Sequence, residues 1–355
     1  MKEVRVRIIT QSSELPPMND NNYFHSNEFF MALEKTPGMK PCMAIAITQD
    51  QQVVGRMLAV IVTRRWFLPP ISLRYGHVYG EGCYAPNTDT SRIFGLLLMA
   101  VTNKFKHELC LFAEFSNISK KMFGYRQFRK QGYVPIPWQE IHNSLHSMPP
   151  EDRLSERQLQ QIKEISDHGV EVRPCANDEE RHLYISLLRK HFMLKSRRYI
   201  PDERLFVEME RSGHAVHLVT VYKGHVIGGC TLVFSSDNAC LWFLAARRKT
   251  FMFLRPAFFT VWGALRYAHG AGYAHLRFFD VGLPLRKNSY REFILSFGGK
   301  PTAKYRWFQL PVPWINNIMK WSYGVYDTDS YRTRHKINKR WFKKRHYNFF
   351  KTYIQ

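Results

Sequence analysis

The chain has 355 residues, a formal net charge of +23 at pH 7, and hydrophobic and aromatic contents of 45% and 15%. These contents exclude an intrinsically disordered chain, and the length is sufficient for two domains that each bury a core. No apolar run reaches the roughly 18 residues that a membrane-spanning helix needs. Residues 1–5 lack the apolar core of a signal peptide, so we expect a cytoplasmic protein.

Cysteine and histidine occur without the spacings that metal sites or disulfide frameworks use. The six cysteines form no Cys-x-x-Cys pair and lie mostly in apolar segments, which predicts buried free thiols. The histidines form no His-Glu-x-x-His motif, and there is no Gly-x-Ser-x-Gly motif. We therefore expect neither a metal site nor serine-hydrolase chemistry.

The first half of the chain predicts strands and helices in alternation. Residues 1–20 are interpreted as an irregular lead-in to a helix through Phe29, Phe30 and Leu33. The predicted elements that follow are strands at 43–48, 53–62 and 74–84, a helix at 91–107 capped by Ser91, a strand at 109–115, and a short helix carrying Tyr125-Arg126-Gln127-Phe128.

Pro149-Pro150 and a charged segment after it predict a domain boundary. We assign one domain to residues 1–148, a linker with a polar helix to 149–170, a second domain to 171–323 and a basic, aromatic tail to 324–355. The predicted elements of the second domain are helices at 177–191 and 202–211, strands at 215–222, from 226 and at 241–245, a helix at 256–269, a strand at 276–279, a helix carrying Tyr290, and a strand at 304–310.

Two short patterns recur in the same order in the two halves. Val53-Val54-Gly55 matches Val226-Ile227-Gly228, and Tyr125-Arg126-Gln127-Phe128 matches Tyr290-Arg291-Glu292-Phe293, at offsets of 173 and 165 residues. Two independent patterns at nearly one spacing predict an internal duplication. Each half also alternates strands and helices, which is typical of an α/β layer with helices packed on a sheet.

The segment after residue 255 carries a resemblance to a known family. Pro256 begins an apolar helix, Gly270 and Gly272 end it, and the following strand stops at Asp280-Val281-Gly282. A Tyr-Arg-x-Phe motif and Gly298-Gly299 come next. This order resembles the C-terminal half of the FemAB family, whose members resemble two GNAT (acetyltransferase-type) domains fused in tandem. The resemblance implies an α/β fold of two GNAT-like domains, with mixed sheets flanked by helices.

The same resemblance implies acyl or aminoacyl transfer to an amine or sugar of a cell-envelope precursor such as peptidoglycan, at the cytoplasmic face of the membrane. Two alternatives remain open. One is an N-acetyltransferase-like enzyme with an acyl-CoA donor, and the other is a non-catalytic protein that holds RNA or anionic membrane. The expected donor is therefore either aminoacyl-tRNA or acyl-CoA, and the expected partners are tRNA, a lipid-linked precursor or an anionic membrane surface.

An acetyl-CoA-binding GNAT domain uses a glycine-rich loop before a helix to cradle the pyrophosphate. Neither half has such a loop, because residues 85–89 and 247–255 contain no glycine. This pattern argues against ordinary acetyl-CoA chemistry, although Arg and Lys side chains could hold an acyl-CoA in its place. The family's frequent Lys after the Tyr-Arg-x-Phe motif is Ile294 here, so substrate contacts do not carry over directly.

Asp280 is the candidate catalytic residue, because the ligands of open α/β sheets commonly bind at strand ends. Its carboxylate could orient or deprotonate an acceptor amine, or it could simply cap the turn to Gly282. The candidate substrate-binding residues are cationic or aromatic side chains that suit a phosphate or carboxylate, namely Arg255, Tyr290, Arg291, Lys304, Lys195 and Arg197. A structural role for Tyr290 and Arg291 and a solvated face for Lys195 and Arg197 remain alternatives.

The tail combines cations with aromatic side chains. Residues 331–355 contain nine Lys or Arg and no Asp or Glu. The predicted membrane- or polyanion-binding residues are Lys339, Arg340, Trp341, Phe342, Lys343, Lys344 and Arg345. This mixture suits an anionic membrane surface, RNA, or a basic helix that packs its aromatic side chains on the domain.

Overall fold

The structure is a computed structural model that describes residues 4–17, 22–65, 72–193, 199–247, 250–284, 287–312 and 314–318. These residues form two compact units. The N-terminal unit contains the described residues of Met1–Trp138 together with those from 303 to 318. The C-terminal unit contains the described residues of Gln139–Thr302.

The N-terminal unit is a sheet with helices packed on it. Its elements are β1 (Val4–Ile9), α1 (Asn27–Glu34), β2 (Met39–Thr48), β3 (Val53–Arg65), β4 (Ser72–Tyr79), β5 (Cys83–Tyr84), α2 (Thr90–His107), β6 (Ala113–Ser116), α3 (Tyr125–Lys130), the first part of β7 (Val134–Ser144), and β13 (Lys300–Gln309). The strand order is β1-β2-β3-β4-β6-β13, with β5 paired to β3. The pair β4–β6 is parallel, and the pairs β1–β2, β2–β3, β3–β4, β3–β5 and β6–β13 are antiparallel.

Polar caps and apolar faces explain the helices of this unit. The Ser26 hydroxyl accepts a hydrogen bond from the Phe29 N–H at the start of α1, and the Asp89 carboxylate accepts one from the Arg92 N–H at the start of α2. The buried face of α2, which includes Phe94, packs against the sheet in one core that also contains Trp307 of β13. A strand from late in the sequence therefore completes this core.

The C-terminal unit repeats the arrangement. Its elements are the second part of β7, α4 (Glu156–Asp167), β8 (Glu171–Pro174), α5 (Asp178–Met193), α6 (Glu203–Arg211), β9 (Ala215–Tyr222), β10 (His225–Ser235), β11 (Asn238–Ala246), α7 (Pro256–Gly270), β12 (His275–Phe278) and α8 (Ser289–Leu295). The strand order is β7-β12-β11-β10-β9-β8. Here the pair β11–β12 is parallel, and the pairs β8–β9, β9–β10, β10–β11 and β7–β12 are antiparallel.

The two units share one topology, which confirms the predicted duplication at the level of strand order. The run β2-β3-β4-α2-β6-α3 corresponds to β9-β10-β11-α7-β12-α8. The final strand of each repeat is exchanged: β13 pairs with β6 in the N-terminal unit, and β7 pairs with β12 in the C-terminal unit. Each unit is therefore completed by a strand that follows the last helix of the other repeat.

The recurring Val-x-Gly pattern marks a β-bulge in both units. The register shifts between Ala46 and Ile47 opposite Gly55, and again between Val226 and Gly228. A Cβ at Gly55 would lie 2.6 Å from Cγ2 of Ile93 on α2, and one at Gly228 would lie 2.7 Å from Oγ1 of Thr260 on α7. The glycine thus follows the bulge and lets the helix of each repeat pack closely on its strand.

Several sequence predictions are corrected by the structure. The supposed irregular lead-in contains β1, whose Val4, Val6 and Ile8 pack against the core. The cap of α2 is Asp89 rather than Ser91. β7 and β8 were not predicted.

The division into units also differs from the predicted domain limits of 148 and 323. The chain divides between Trp138 and Gln139, and residues from Ala303 belong to the N-terminal unit because β13 pairs with β6. The predicted linker contains α4, whose Ile165 is buried in the core of the C-terminal unit. The tail from residue 324 lies outside the described residues. Within the described part, no helix has the length and apolar character needed to cross a membrane.

Candidate functional site

The parallel strands of the N-terminal unit end in polar side chains. Tyr79 is the last residue of β4, Ser116 is the last residue of β6, and the two are register partners. Val78 and Phe115, which precede them, face the helix-side core. Because side chains alternate along a strand, His77, Tyr79, Glu114 and Ser116 lie on the opposite face. Ligands of open α/β sheets bind at such strand ends, so we take this polar face as the candidate site.

His77 is oriented by its two neighbours on this face. Its Nε2 lies 2.8 Å from the Ser116 hydroxyl oxygen, and its ring stacks on Tyr79 with centroids 4.0 Å apart. Ser116 is only 4% exposed, so this contact is largely shielded from water. When Nε2–H donates to Ser116, Nδ1 is the basic nitrogen of the neutral ring. A histidine held in this way can accept a proton from a substrate amine.

An ion pair lies beside the histidine. Nη1 of Arg306 on β13 donates to a carboxylate oxygen of Glu114 at 3.2 Å, and both side chains are almost buried. The guanidinium also lies over the Trp138 ring, with Cζ 3.9 Å from its centre. Charges that are shielded from water act more strongly on a reacting group than exposed charges do. The pair therefore sets the local field of the polar face.

The loop after β6 is fixed by charged side chains. Nζ of Lys304 donates to the carbonyl oxygens of Ile118, at 3.0 Å, and Ser119. The Glu81 carboxylate accepts from the Ser119 N–H at 2.8 Å and also from its hydroxyl. These contacts hold the carboxyl end of β6 against the turn that follows β4. A site at these strand ends is thereby held in one geometry.

His25 supports the same turn from the buried side. The backbone nitrogens of Leu58 and Gly82 lie 3.0 and 2.9 Å from its Nδ1 and Nε2, and the unprotonated ring nitrogen accepts the hydrogen bond from its neighbour. Burial, followed by the nearby Arg56 guanidinium, lowers the pKa of His25 from 6.5 to about 3. The ring is therefore neutral at physiological pH, and its role is to hold the backbone of the turn in place rather than to act as an acid.

The C-terminal unit has apolar side chains where the N-terminal unit has the polar face. Trp242 and Phe279 follow the paired residues Leu241 and Phe278, in the places of Tyr79 and Ser116. The ion pair recurs with its charges exchanged, because Arg277 on β12 donates to Glu140 on β7 at 3.0 Å. In both units the pair is diagonal, two residues along the strand from the direct register partner.

Asp280, the predicted catalytic residue, lies just after β12 and is half-buried. The loop that follows it is held by α8. The Asn288 amide donates to the Val281 carbonyl oxygen at 2.9 Å, and Nη1 of Arg291 donates to that of Leu283 at 2.7 Å. Tyr290 packs against the core beside Phe293. Asp280, Tyr290 and Arg291 thus lie in one segment, from the end of β12 to the first turn of α8. The Arg291 side chain contacts the backbone of the loop within that segment.

The other predicted binding residues are distributed differently. Arg255 donates to the Gln161 side chain at 2.8 Å in the C-terminal unit. Lys304 belongs to the N-terminal unit, where its ammonium group is buried against carbonyl oxygens. Lys195 and Arg197 lie outside the described residues. The seven predicted tail residues, Lys339, Arg340, Trp341, Phe342, Lys343, Lys344 and Arg345, lie outside them as well.

The helix N-termini where a GNAT domain would hold pyrophosphate do not fit that group. The Asp89 carboxylate occupies the N-terminus of α2 and would repel a phosphate. At α7, Pro256 has no N–H, and the N–H groups of Phe258 and Phe259 donate to the Arg255 carbonyl oxygen. Arg255 itself has φ of 42°. The described parts of both loops thus lack an open backbone cradle, in agreement with the sequence.

Sequence reasoning missed the polar face, although a signal was present. Tyr75, His77 and Tyr79 alternate with Gly76 and Val78, which is the period of a strand with one polar face. What the sequence does not contain is the pairing of β4 with β6, since His77 and Ser116 are 39 residues apart. Within the described ranges, no three His, Cys, Asp or Glu side chains are grouped as a metal ion would require.

No protein-family model matches the sequence, and no curated protein matches it in sequence. Solved structures do match the fold. FemX is 9% identical with a TM-score of 0.59, covering 84% of this chain and 94% of that chain. The C-terminal DUF2156 domain of a predicted lysylphosphatidylglycerol synthetase from Agrobacterium fabrum is 11% identical with a TM-score of 0.53, covering 83% and 92%.

A tandem GNAT protein from the clavulanic acid biosynthesis pathway is also 11% identical with a TM-score of 0.53, covering 87% of this chain and 99% of that chain. These matches extend over most of both chains in each comparison. The chain therefore shares its fold with FemX and with the tandem GNAT protein, which confirms the predicted fold of two GNAT-like domains and its likeness to a FemAB-type structure.

Proposed function

We propose that this chain is an acyltransferase that moves an acyl or aminoacyl group onto an amine or sugar of a cell-envelope precursor, at the cytoplasmic face of the membrane. The observation that carries the proposal is the tandem fold shared with FemX and with the lysylphosphatidylglycerol synthetase domain. The polar end of the parallel strands in the N-terminal unit supports it, because that end supplies a base beside an ion pair.

The chemistry needs few side chains. An acceptor amine attacks the carbonyl carbon of the donor ester or thioester, so a C–N bond forms and the C–O or C–S bond breaks. We assign His77 as the group that takes the proton from the amine, after which the leaving oxygen or sulfur is protonated. The remaining work is to position the two substrates and stabilise the developing oxyanion. Asp280 is a second candidate base, in the C-terminal unit.

We propose aminoacyl-tRNA as the donor, because the helix N-termini are unsuited to the pyrophosphate of an acyl-CoA. The carboxylate of Asp89 and the proline at the start of α7 both disfavour a pyrophosphate bound by backbone N–H groups. A net charge of +23 attracts a polyanion such as tRNA. An acyl-CoA held by side chains such as Arg255 is the alternative donor.

The second candidate function is a non-catalytic protein that holds RNA or anionic membrane. It is favoured by the concentration of charge, since residues 331–355 carry nine Lys or Arg and no acid. We propose that the tail contacts anionic lipid through Trp341, Phe342 and the cations around them. In the enzyme this contact would hold the chain near a lipid-linked acceptor.

A donor and acceptor panel tests the proposal. The full chain is incubated with labelled aminoacyl-tRNA or labelled acetyl-CoA and with one of three acceptors: a soluble nucleotide-linked peptidoglycan precursor, its lipid-linked form, or phosphatidylglycerol vesicles. We expect transfer from aminoacyl-tRNA to at least one acceptor, and loss of that transfer in His77→Gln. Transfer from acetyl-CoA alone would establish the alternative donor. Binding of tRNA or vesicles with no transfer to any acceptor would favour the non-catalytic protein.

A further inference from the structure

The turn before α7 exposes two adjacent large apolar side chains. Met252 and Phe253 are 75% and 66% exposed, whereas Leu254 beside them is fully buried and Phe251 packs against the core. Phe251 and Leu254 therefore anchor the turn, and Met252 and Phe253 project from it. We call residues 250–255 the apolar tip.

Backbone contacts fix the shape of the apolar tip. The Leu254 N–H donates to the Phe251 carbonyl oxygen at 3.1 Å, and the Arg255 N–H donates to that of Met252 at 3.3 Å. Arg255 then adopts φ of 42° and ψ of 56°, a left-handed conformation that a non-glycine residue adopts only where the surrounding structure requires it. A tip held in this way loses little conformational entropy when it binds.

Cations surround the apolar tip, and acids are absent from this stretch of sequence. Arg247, which precedes the apolar tip, and Arg255, its last residue, are both exposed. The Phe251 ring contacts Tyr222 at a centroid distance of 6.1 Å, which brings the neighbouring Lys223 to the same surface. The sequence contains no Asp or Glu between Asp237 and Asp280. This stretch of sequence therefore combines two exposed apolar side chains with cations and contains no acid.

We propose that the apolar tip inserts into an anionic phospholipid surface, with Met252 and Phe253 in the interface and Lys223, Arg247 and Arg255 at the headgroups. Apolar side chains gain by leaving water for the acyl boundary, and cations gain from anionic headgroups. RNA would engage the cations but would give Met252 no comparable gain, so a lipid surface explains the whole arrangement. The inference rests on the proposed membrane location but not on the donor or the reaction.

The test uses the full chain, so that the tail is present in every sample. Met252→Ser/Phe253→Ser is compared with the unchanged chain by flotation with phosphatidylglycerol–phosphatidylcholine vesicles, at about 0.1 M and about 0.5 M salt. Salt screens charge contacts and leaves apolar insertion intact. At the higher salt concentration we expect the double variant to bind vesicles about tenfold more weakly than the unchanged chain does. That is the scale of losing two partly inserted apolar side chains.

Two further variants control for folding and for surface hydrophobicity. Met99→Ser/Leu109→Ser removes two exposed apolar side chains of the N-terminal unit, which are 44% and 81% exposed, and it should bind vesicles like the unchanged chain. Phe253→Trp keeps an aromatic ring suited to the interface and should retain binding. An unchanged thermal midpoint in all variants shows that they fold alike.

Two results would overturn the proposal. One is equal vesicle binding by Met252→Ser/Phe253→Ser and the unchanged chain at both salt concentrations. The other is a loss of tRNA binding by that variant as large as its loss of vesicle binding, which would identify an RNA contact. Transfer to the soluble nucleotide-linked acceptor is measured in parallel. A tip-dependent membrane contact without any transfer would leave this inference standing while the proposed function fails.

Discussion

Glu114 on β6 accepts a hydrogen bond from Arg306 on β13, and the C-terminal unit carries the same ion pair with the two charges exchanged. In that unit Arg277 is on β12, which pairs in parallel with β11, and Glu140 is on the exchanged strand β7. Both pairs are diagonal across equivalent strands and nearly buried. The duplicated scaffold therefore accommodates either polarity at one position, provided that both partners change together.

That relationship predicts the outcome of a charge reversal. Glu114→Arg alone places two guanidinium groups together on a shielded strand face, and we expect a loss of about 3–5 kcal/mol in the free energy of unfolding. Adding Arg306→Glu should recover more than half of it. Urea unfolding measures both values. Reversing the exposed pair Arg7–Glu14, which is 62% and 41% exposed, is the control and should change stability by less than about 1 kcal/mol. If the double variant is no more stable to urea than Glu114→Arg alone, the scaffold does not accommodate both polarities at this position.

The His77–Ser116 pair predicts a kinetic effect. His77→Gln should lower the transfer rate roughly 100-fold, the scale of losing general-base help, with little change in thermal midpoint. Ser116→Ala should lower kcat by about tenfold and leave KM nearly unchanged, because it orients the base and does not bind substrate. Combining the two should cost little more than His77→Gln alone. Additive losses would show that the two side chains act separately. His107→Gln, an exposed histidine at the end of α2, is the control and should change neither the rate nor the thermal midpoint.

Asp280 is tested by Asp280→Asn, which keeps the shape of the side chain and removes its charge. If the carboxylate takes part in proton transfer, activity should fall roughly 100-fold while the thermal midpoint stays nearly constant. Asp237→Asn, at the exposed turn between β10 and β11, is the matched control and should change neither quantity. A large loss of stability with full activity per folded molecule would identify Asp280 as a structural cap.

Removal of the Lys304 ammonium group should lower the free energy of unfolding. Lys304→Met keeps the apolar stem but leaves the Ile118 and Ser119 carbonyl oxygens without this donor, at a cost of about 1–3 kcal/mol. Lys300→Met, at the exposed start of β13, should be nearly neutral. Denaturant unfolding compares the two. Equal stabilities with a rise in KM for Lys304→Met alone would indicate substrate binding, as the sequence first suggested.

Two buried histidines predict a loss of stability in acid. Burial lowers the pKa of both His25 and His217, and for His25 the value is about 3. In the unfolded chain both rings protonate below about pH 6.5, whereas the folded chain keeps them neutral to lower pH. Unfolding therefore takes up protons as pH falls, and stability should decline by about 1.4 kcal/mol per pH unit for His25, with a further decline from His217.

The measurement is urea unfolding at several values between pH 7.5 and about pH 4.5. His225→Gln, an exposed histidine on β10, should leave the slope unchanged. His217 is hydrogen-bonded to Thr231 and to the Phe206 carbonyl oxygen, and the second contact opposes the lowering of its pKa by burial. A stability that does not change over this range would contradict both assignments.

Local sequence patterns were sufficient to predict much of the fold. The strand at 215–222 coincides with β9, since its β-branched residues and the Lys223-Gly224 turn are local signals. β7 was missed because Pro135 and Pro137 argue against a strand, and the residues of β7 that pair with β12 begin only after them, at Ile141. β1 was missed although Val4, Arg5, Val6 and Arg7 alternate.

The candidate site could be predicted only in part, for a physical reason. Asp280 follows a strand and precedes a glycine, which the sequence displays directly. The polar face depends on β4 lying beside β6 and on β13 lying beside β6 in turn. Those pairings join residues far apart in sequence, and single-sequence patterns contain no register information for them. Lys304 was chosen for its charge, and only the exchanged strand reveals that this charge is bound by carbonyl oxygens.

The exchange of β7 and β13 constrains how the chain acquires its structure during synthesis. Glu114 and Arg306 are 192 residues apart, so the sheet of the N-terminal unit can be completed only after the residues between them have been synthesised. Contacts of such long range are slow to form, and an incomplete sheet exposes an unpaired edge meanwhile. Translation speed and chaperone access to that edge should therefore govern the yield of native protein more strongly than they would for two domains folding in succession.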